Sequence, residues 1–207
     1  MSFIKTKRPA EASGDVLEMY ERQEAHWGYV PNYAMTFSHR PEAMARWGRL
    51  LAELRRPVDD RRFELVTFAA AFELKHRACS LVHGGELAKF IGEAAVIAIS
   101  EGREADVLPA VDVAIVRYAR TVARDASKAT SGQVDALKTL HGLTDADVFD
   151  IAAIAAGRSF FTKVLDALGS EADSALKSID KDFREAMAVG RPISLAPAET
   201  IAKSDAA

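Results

Sequence analysis

Apolar residues recur every three to four positions along most of the chain, which is the period of an amphipathic α-helix. One such stripe is formed by Met44, Trp47, Leu50, Leu51 and Leu54. Alternation with a period of two, which a half-buried strand would show, is almost absent. The pattern therefore predicts an all-α fold.

Glycine, proline and capping residues divide this pattern into separate helices. Gly28 and Gly169 are placed to end helices, and Pro41 is placed to begin one. Asp59 or Asp60 can cap the helix that follows them. The predicted helices span residues 16–27, a short segment ending at 38, 41–55, 60–74, about 76–90, 94–99, 108–126, 132–140, 147–168 and 174–189.

No stretch of the chain has the composition of a linker between two domains. We therefore expect one helical domain over residues 14–192, with a core motif at residues 60–92. An N-terminal arm, residues 1–13, precedes this domain. Residues 193–207 are expected to form a weakly ordered C-terminal tail.

The composition narrows the classes of function. Of the 207 residues, 49% are apolar and 28% are charged, and the net charge is −3. A nucleic acid or an anionic membrane is therefore not expected as a partner, because binding either would need a basic face. The chain has no apolar run long enough to span a membrane and no signal-peptide core at its N-terminus. Its single cysteine cannot form an internal disulfide, so a cytoplasmic location is expected.

The candidate chemistry lies in the stretch from Glu64 to His83, which contains Cys79. If residues 76–83 are helical, offsets of 0, 3 and 7 place His76, Cys79 and His83 on one face of the helix. A thiol and two imidazoles on one face can form a redox site or a metal site. They can also be ordinary packing residues.

The redox interpretation requires Cys79 to ionise, because the thiolate is the nucleophile. The first turn of a helix favours negative charge, and Lys75 and Arg77 add positive charge nearby. His83, one turn further on, can accept the thiol proton. Glu64 can orient an imidazole or pass a proton to water.

The metal interpretation uses the same four side chains, since His76, Cys79, His83 and Glu64 offer donors suited to zinc or a late transition metal. The three donors on one helix span about 10 Å of rise, so they converge only if the helix breaks at His76. We commit to no metal and no cofactor. In the packing interpretation Cys79 is a small buried residue, His83 is a core histidine, and His76 is a solvated residue at a helix start.

Several short motifs, in order along the chain, resemble the AhpD-like family, also called the carboxymuconolactone decarboxylase superfamily, and in particular its peroxidase-related branch. The resemblance covers about residues 14–192. It is carried by Gly-Tyr-Val-Pro-Asn at 28–32, Ser-His-Arg-Pro-Glu at 38–42, Arg-Phe-Glu-Leu-Val at 62–66, Gly-Leu-Thr-Asp at 142–145 and Ala-Leu-Gly at 167–169.

Active members of that family carry a glutamate followed by Cys-x-x-Cys-x-x-x-His. In this chain Glu64 takes the acid position, Cys79 the second cysteine and His83 the histidine, while His76 stands in place of the first cysteine. The resemblance implies a single helical domain that reduces a peroxide with an external thiol, without a cofactor. It also implies a homo-oligomer, either a trimer or a hexamer built from dimers.

The leading hypothesis is a thiol-dependent, peroxidase-like antioxidant protein with Cys79 as the reactive thiol, His83 as proton relay, Glu64 as acid or base and His76 as a modifier. One alternative is a non-redox decarboxylase or isomerase acting on a carbonyl or lactone. Another is a non-catalytic member of the fold that binds a ligand or a protein. The glycine pair at 84–85 and the small residues at 151–157 also suggest helix contacts between subunits of a homo-oligomer, possible as a dimer, trimer or hexamer.

Overall fold

In the computed structural model, which describes residues 2–201, the chain folds into helices joined by short turns. These residues contain eleven α-helices and no β-strand, so the predicted all-α fold is confirmed. None of the described helices is both long enough and apolar enough to cross a membrane. The α-helices are α1 (Asp15–Trp27), α2 (Asn32–Thr36), α3 (Pro41–Arg55), α4 (Asp60–Glu73), α5 (Arg77–Ile91), α6 (Glu93–Ser100), α7 (Glu104–Val107), α8 (Ala110–Asp125), α9 (Ser131–Thr139), α10 (Asp145–Ala167) and α11 (Lys181–Ala186).

Local sequence explains where the helices around the site begin and end. Gly28 has a left-handed backbone (φ 78°) and ends α1. Pro41 is the first residue of α3, where its missing N–H costs nothing. The side chain of Asp59 caps α4 by accepting a hydrogen bond from the backbone N–H of Arg62 at 2.9 Å. These three signals were readable from the sequence.

Helix α4 lies at the centre of the fold and packs against α5, α8 and α10. Its residues 63–71 are all buried, as is typical of a helix that occupies a core position. The polar residues within this buried segment are Glu64 and Thr67. A buried carboxyl group is costly unless it is hydrogen-bonded, so Glu64 needs a partner inside the fold.

A second apolar cluster joins the N-terminal helices to α5 and to the end of α10. Its members are Val16, Met19, Tyr20, Val30, Ala34, Phe37, Met44, Ala71, Cys79, Phe161 and Leu165. Cys79 belongs to this cluster, whereas Leu81 and Leu87 of the same helix belong to the main core. Helix α5 therefore lies between the two clusters.

Two predictions about helices are wrong. The predicted helix at 174–189 is a 3₁₀ turn, Ser174–Ser178, followed by the short helix α11. The break occurs at Asp180, whose carboxylate accepts hydrogen bonds from the backbone N–H groups of Asp182 and Phe183 and so starts a new helix. Leu50 belongs to the predicted apolar stripe of α3 but is 54% exposed, whereas Met44 of the same stripe is buried.

Two of the glycines that suggested subunit contacts, Gly84 and Gly157, have partners within the chain, whereas a Cβ atom on Gly85 would meet nothing within 4 Å. A Cβ atom on Gly84 would lie 3.2 Å from the rings of both Phe68 and Phe183, so the close approach occurs inside the core. A Cβ atom on Gly157 would lie 3.8 Å from Leu51, which shows that α10 packs on α3 there. Neither feature requires a second subunit, and the homo-oligomer stays a prediction.

Both terminal segments lie against the helical domain. In the N-terminal arm, the backbone N–H of Phe3 donates to the carbonyl oxygen of Leu168 at 2.8 Å. At the other end, the backbone N–H of Val30 donates to the carbonyl oxygen of Glu199 at 2.8 Å, and residues 193–201 do not form a free tail. The rest of the predicted tail, residues 202–207, lies outside the described residues.

Candidate active site

The turn between α4 and α5 determines where the site begins. Lys75 has a left-handed backbone (φ 58°), which redirects the chain after α4. Gly190 lies against this turn, and a Cβ atom there would be 1.8 Å from the backbone oxygen of Lys75. The two segments can therefore approach this closely only because residue 190 has no side chain. The turn places His76 directly before the first residue of α5.

His76 and Cys79 meet at the N-terminus of α5. His76 caps the helix, and its Nδ1 accepts a hydrogen bond from the backbone N–H of Cys79 at 3.2 Å. Their exposed fractions are 5% and 6%, so the expectation that His76 is a solvated residue is wrong. The cap places Cys79 in the first turn of the helix, as predicted, where the helix dipole favours a thiolate.

Glu64 and His83 form a second pair. Nδ1 of His83 lies 2.7 Å from Oε2 of Glu64, across the contact between α5 and α4. A carboxylate accepts, so Nδ1 carries the proton and Nε2 is free to take up another. The buried carboxyl group of Glu64 thus has its partner, and the pair has the arrangement of a base oriented by an acid.

Arg158 completes the site, although the sequence analysis did not single it out. It is 3% exposed, and its Nη1 donates a hydrogen bond to Sγ of Cys79 at 3.6 Å. Its Cζ lies 5.4 Å from the ring centre of Trp47 and 5.6 Å from that of Phe161, within the range of a cation–π contact. A signal was present: Arg158 follows the apolar Ile154 by four positions, which places a charged residue on the buried face of α10.

The charges around Cys79 favour its thiolate. Burial by itself raises the pKa of the Cys79 thiol, but His76 and Arg158 lower it by more, so that the net pKa lies below the ordinary value. Lys75 and Arg77, which are expected from the sequence to supply this positive charge, are not among the main causes of the shift. Lys75 is exposed, and Nε of Arg77 donates to the carbonyl oxygen of Val189 at 3.2 Å.

The two histidines respond to their surroundings in opposite ways. Burial lowers the pKa of His76, but Cys79 and Asp166 together raise it by more, so the net shift is upward. Protonation of Nδ1 would break the hydrogen bond that caps α5, because that bond needs an unprotonated nitrogen. Burial and the charge of Arg158 lower the pKa of His83, and its bond to Glu64 offsets only part of that shift. His83 is therefore a neutral imidazole near neutral pH.

The candidate site residues described so far all line one cavity of about 570 Å³. These side chains are Glu64, His76, Cys79, His83 and Arg158. Aromatic side chains form much of the remaining wall, namely Trp27, Tyr29, Tyr33, Trp47 and Phe161. The rings of Trp47 and Phe161 are stacked with their centres 4.3 Å apart.

Asp173 is a further titratable group in the wall of this cavity. It is 8% exposed, and its Oδ1 accepts a hydrogen bond from the backbone N–H of Asn32 at 2.7 Å. Burial raises its pKa from 3.8 to about 6, against the opposing effect of that hydrogen bond. The sequence analysis did not identify this residue.

A metal ion has no obvious binding site here. Within residues 2–201, no group of three or more His, Cys, Asp and Glu side chains is arranged to hold one. The four residues that had been considered as ligands instead form two pairs, Glu64 with His83 and His76 with Cys79. Each pair uses a nitrogen or oxygen atom that a metal would need.

Comparison with known proteins identifies the fold. No protein-family model and no curated protein matches the chain. Among solved structures, it is similar to the AhpD core of an uncharacterised peroxidase-related protein from Ralstonia eutropha JMP134, with a TM-score of 0.67 and 19% identity over 91% of this chain and 98% of that one. It is also similar to an uncharacterised peroxidase-related protein from Silicibacter sp. TM1040, with a TM-score of 0.65 and 16% identity over 84% and 97% of the two chains.

A third similar structure is that of a debrominase. A variant of the debrominase Bmp8 in complex with 2,3,4-tribromopyrrole has a TM-score of 0.66 and 15% identity, over 80% of this chain and 89% of that one. These likenesses agree with the resemblance read from the sequence motifs. The chain therefore has the AhpD-like helical fold of the peroxidase-related proteins.

Proposed function

We propose that this protein reduces an organic hydroperoxide at the Cys79 thiolate and is regenerated by an external thiol. The observation that carries the proposal is the environment of Cys79. Its buried thiol lies on a cavity wall, 3.6 Å from the guanidinium of Arg158, and has a lowered pKa, while its backbone N–H donates to the imidazole of His76. A buried cysteine that served only for packing would need no cation beside it.

The reaction has two stages. In the first, Sγ of Cys79 attacks the terminal oxygen of the hydroperoxide, the O–O bond breaks and an S–O bond forms. The alcohol leaves after taking up a proton, the sulfur is oxidised by two electrons and the peroxide is reduced. In the second, an external thiol displaces water from the sulfenic acid to give a mixed disulfide. A second thiol then releases an external disulfide and restores Cys79.

His83 is the group proposed to move protons during this cycle. As a neutral imidazole oriented by Glu64, it can accept a proton at Nε2 and deliver it to the departing oxygen. Arg158 adds positive charge next to the sulfur, where negative charge shifts from sulfur to oxygen in the transition state. This assignment keeps the roles expected for Cys79, His83 and Glu64.

The identity of His76 determines how the cycle is completed. A second cysteine at that position would allow an intramolecular disulfide, but this chain has one cysteine in total. Cys79 is 6% exposed, so the thiol of another large protein would not reach it without local opening. A small thiol in a reducing cytoplasm is therefore the proposed reductant.

Peroxide consumption with a small thiol tests this function. Wild-type protein is expected to consume cumene hydroperoxide with dithiothreitol, and Cys79→Ser is expected to lose that activity. His76→Cys should yield an intramolecular disulfide by mass spectrometry, whereas the control His39→Cys, which adds a thiol at an exposed histidine, should not. Equal turnover by wild type and Cys79→Ser would overturn the proposal.

A second candidate function is thiol-dependent dehalogenation, and the aromatic wall of the cavity favours it. Hydrogen peroxide has only two heavy atoms and would fill a small part of about 570 Å³, and a similar fold binds 2,3,4-tribromopyrrole. The reaction would convert one carbon–bromine bond of the ring and two thiols into a carbon–hydrogen bond, a disulfide and hydrogen bromide. Bromide release from 2,3,4-tribromopyrrole that depends on Cys79 would support it. Any activity that survives thiol alkylation would instead favour the decarboxylase or isomerase class.

A further inference from the structure

We propose that the cavity binds an aromatic molecule that carries a carboxylate, and that Arg158 is the partner of that carboxylate. This inference rests on the proposed function, because it names the class of substrate for the same site. It is argued from the unpaired side of Arg158, from the rings around it and from the distribution of charge in the cavity.

Arg158 is a buried cation whose hydrogen bonds are incomplete. It is 3% exposed, and within the described part of the chain no carboxylate forms an ion pair with it. Its Nη1 faces Sγ of Cys79, while its Nε is buried and has no hydrogen-bond partner among the described residues. Nε has almost no accessible surface, so a ligand cannot reach it. Nη2 also forms no hydrogen bond with the described residues and is not fully buried, so it is the donor that an acceptor in the cavity can meet.

The chemistry of that acceptor follows from the shape of the guanidinium. Its donors form a planar fork, which matches the two oxygens of a carboxylate. Nη1 is already used by the thiol and Nε has almost no accessible surface, which leaves Nη2 for the acceptor. A carboxylate bound at Nη2 would not displace the sulfur from Nη1.

The surroundings of Arg158 favour an aromatic ring in the body of the ligand. The rings of Trp47 and Phe161 are nearly parallel, at 12°, and Tyr33 meets Phe161 edge-on with its ring centre 5.4 Å away. These rings lie in the cavity wall beside Arg158. A planar aromatic ligand could stack on them, whereas a small peroxide would leave most of the wall uncovered.

The other charges in the cavity direct a carboxylate to Arg158. Arg22 and Arg55 also line the cavity, but both are exposed and paired with Glu18 and Asp60, respectively. Elsewhere the wall contributes carboxyl groups, which repel an anion when they are ionised, namely those of Glu64, Glu86, Glu171 and Asp173. Of the arginines in the wall, Arg158 is therefore the buried one that can receive an anionic group.

Fluorescence titration of the full chain tests this inference without depending on turnover. Both tryptophans, Trp27 and Trp47, line the cavity, so a ligand there should quench their emission. We expect 2-naphthoate to bind roughly 10- to 100-fold more tightly than its neutral analogue 2-naphthamide, which is the range for a charge-assisted hydrogen bond. Equal affinities for the two probes, or binding of neither, would overturn the inference.

Substitutions test whether the preference for 2-naphthoate over 2-naphthamide depends on Arg158. Arg158→Gln should abolish the preference for 2-naphthoate while leaving 2-naphthamide binding within a few-fold, and Arg158→Lys should keep part of the preference. The control Arg46→Gln, at an exposed arginine paired with Glu42, should bind both probes as wild type does. If Arg158→Gln does not fold, the two probes on wild type still decide the question. A preference that persists in folded Arg158→Gln would contradict the assignment.

The proposed function and this inference can fail separately. Cys79→Ser lacks the reactive thiol but should retain the preference for 2-naphthoate, because Arg158 remains in place. Wild-type protein that prefers 2-naphthoate but consumes no hydroperoxide would overturn the function and support the binding site. Protein that consumes hydroperoxide but does not distinguish the two probes would support the function and overturn the binding site.

Discussion

Replacing Asp173 with asparagine is expected to stabilise the protein at neutral pH. Asp173 is 8% exposed, and burial raises the pKa of its carboxyl group from 3.8 to about 6. Above that pH the folded protein must hold a buried negative charge, which asparagine would remove. The amide oxygen of the variant can still accept the hydrogen bond from the backbone N–H of Asn32.

The size of the Asp173 pKa shift gives the expected difference in free energy of unfolding between the variant and wild type. Because the folded pKa is raised, the stability contributed by the protonated carboxyl group is present below pH 3.8 and is lost as the pH rises through about 6. At about 1.4 kcal/mol per pKa unit, the full loss is about 3 kcal/mol. The free energy of unfolding of Asp173→Asn should therefore exceed that of wild type by about 1 kcal/mol near pH 4.5 and by about 3 kcal/mol near pH 8.

Urea unfolding at those two pH values measures the difference. Asp182→Asn makes the same chemical change at an exposed carboxyl group and controls for the change in net charge. A difference in free energy of unfolding between Asp173→Asn and wild type that is the same at both pH values would contradict the raised pKa of Asp173. Greater stability of wild type near pH 8 would contradict it as well.

Two further predictions concern α5 and its contact with α4. Gly84→Ala should lower the free energy of unfolding, measured in urea, by about 1–3 kcal/mol more than Gly85→Ala does. The reason is that a Cβ atom at 84 meets two buried rings, whereas one at 85 meets nothing within 4 Å. Equal effects of the two substitutions would contradict this packing. Glu64→Gln should keep the hydrogen bond to His83 but lower the histidine pKa further, and peroxide turnover should fall about tenfold or more. Unchanged turnover in Glu64→Gln would remove the dyad from the proton relay.

The sequence predicted the helices well because their boundaries depend on local chemistry. Gly28, Pro41 and Asp59 act through their own backbone or side chain, and each has the predicted role in the structure. The wrong prediction of one helix over residues 174–189 also depends on local chemistry. Asp180 can lie within a continuous helix or cap the start of a new one, and in the structure it caps α11. The apolar pattern alone does not distinguish these two outcomes.

The composition of the site was less predictable because it depends on contacts between distant segments. Glu64, His76, Cys79 and His83 all line the cavity, but the surroundings of His76 were predicted wrongly. The turn at Lys75 comes directly before His76, whose ring is buried. The charged residues on either side of His76 in the sequence give no indication of this burial. In the same way, Lys75 and Arg77 are expected from the sequence to supply positive charge to the Cys79 thiol, but His76 and Arg158 are the main sources of it in the structure.

Arg158, which supplies part of that charge, lies 79 positions beyond Cys79 in the chain. The sequence places a charged residue on the buried face of a predicted helix, but it does not show that this residue contacts Cys79. Asp173 is a similar case, since its pKa is raised by burial in the folded chain, against the hydrogen bond from Asn32, and not by any local motif. Long-range packing thus decides the electrostatics of the site, whereas local sequence decides the helices that present it.

The pH dependence of alkylation of Cys79 tests the central claim most directly. The chain has one cysteine, so iodoacetamide reports on this thiol alone, and the same protein in urea provides the unperturbed reference. We expect the apparent pKa of Cys79 in the native protein to lie below that of the unfolded chain and to shift upward in Arg158→Gln. A native pKa equal to or above the unfolded value would contradict the assignment of Cys79 as the reactive thiolate.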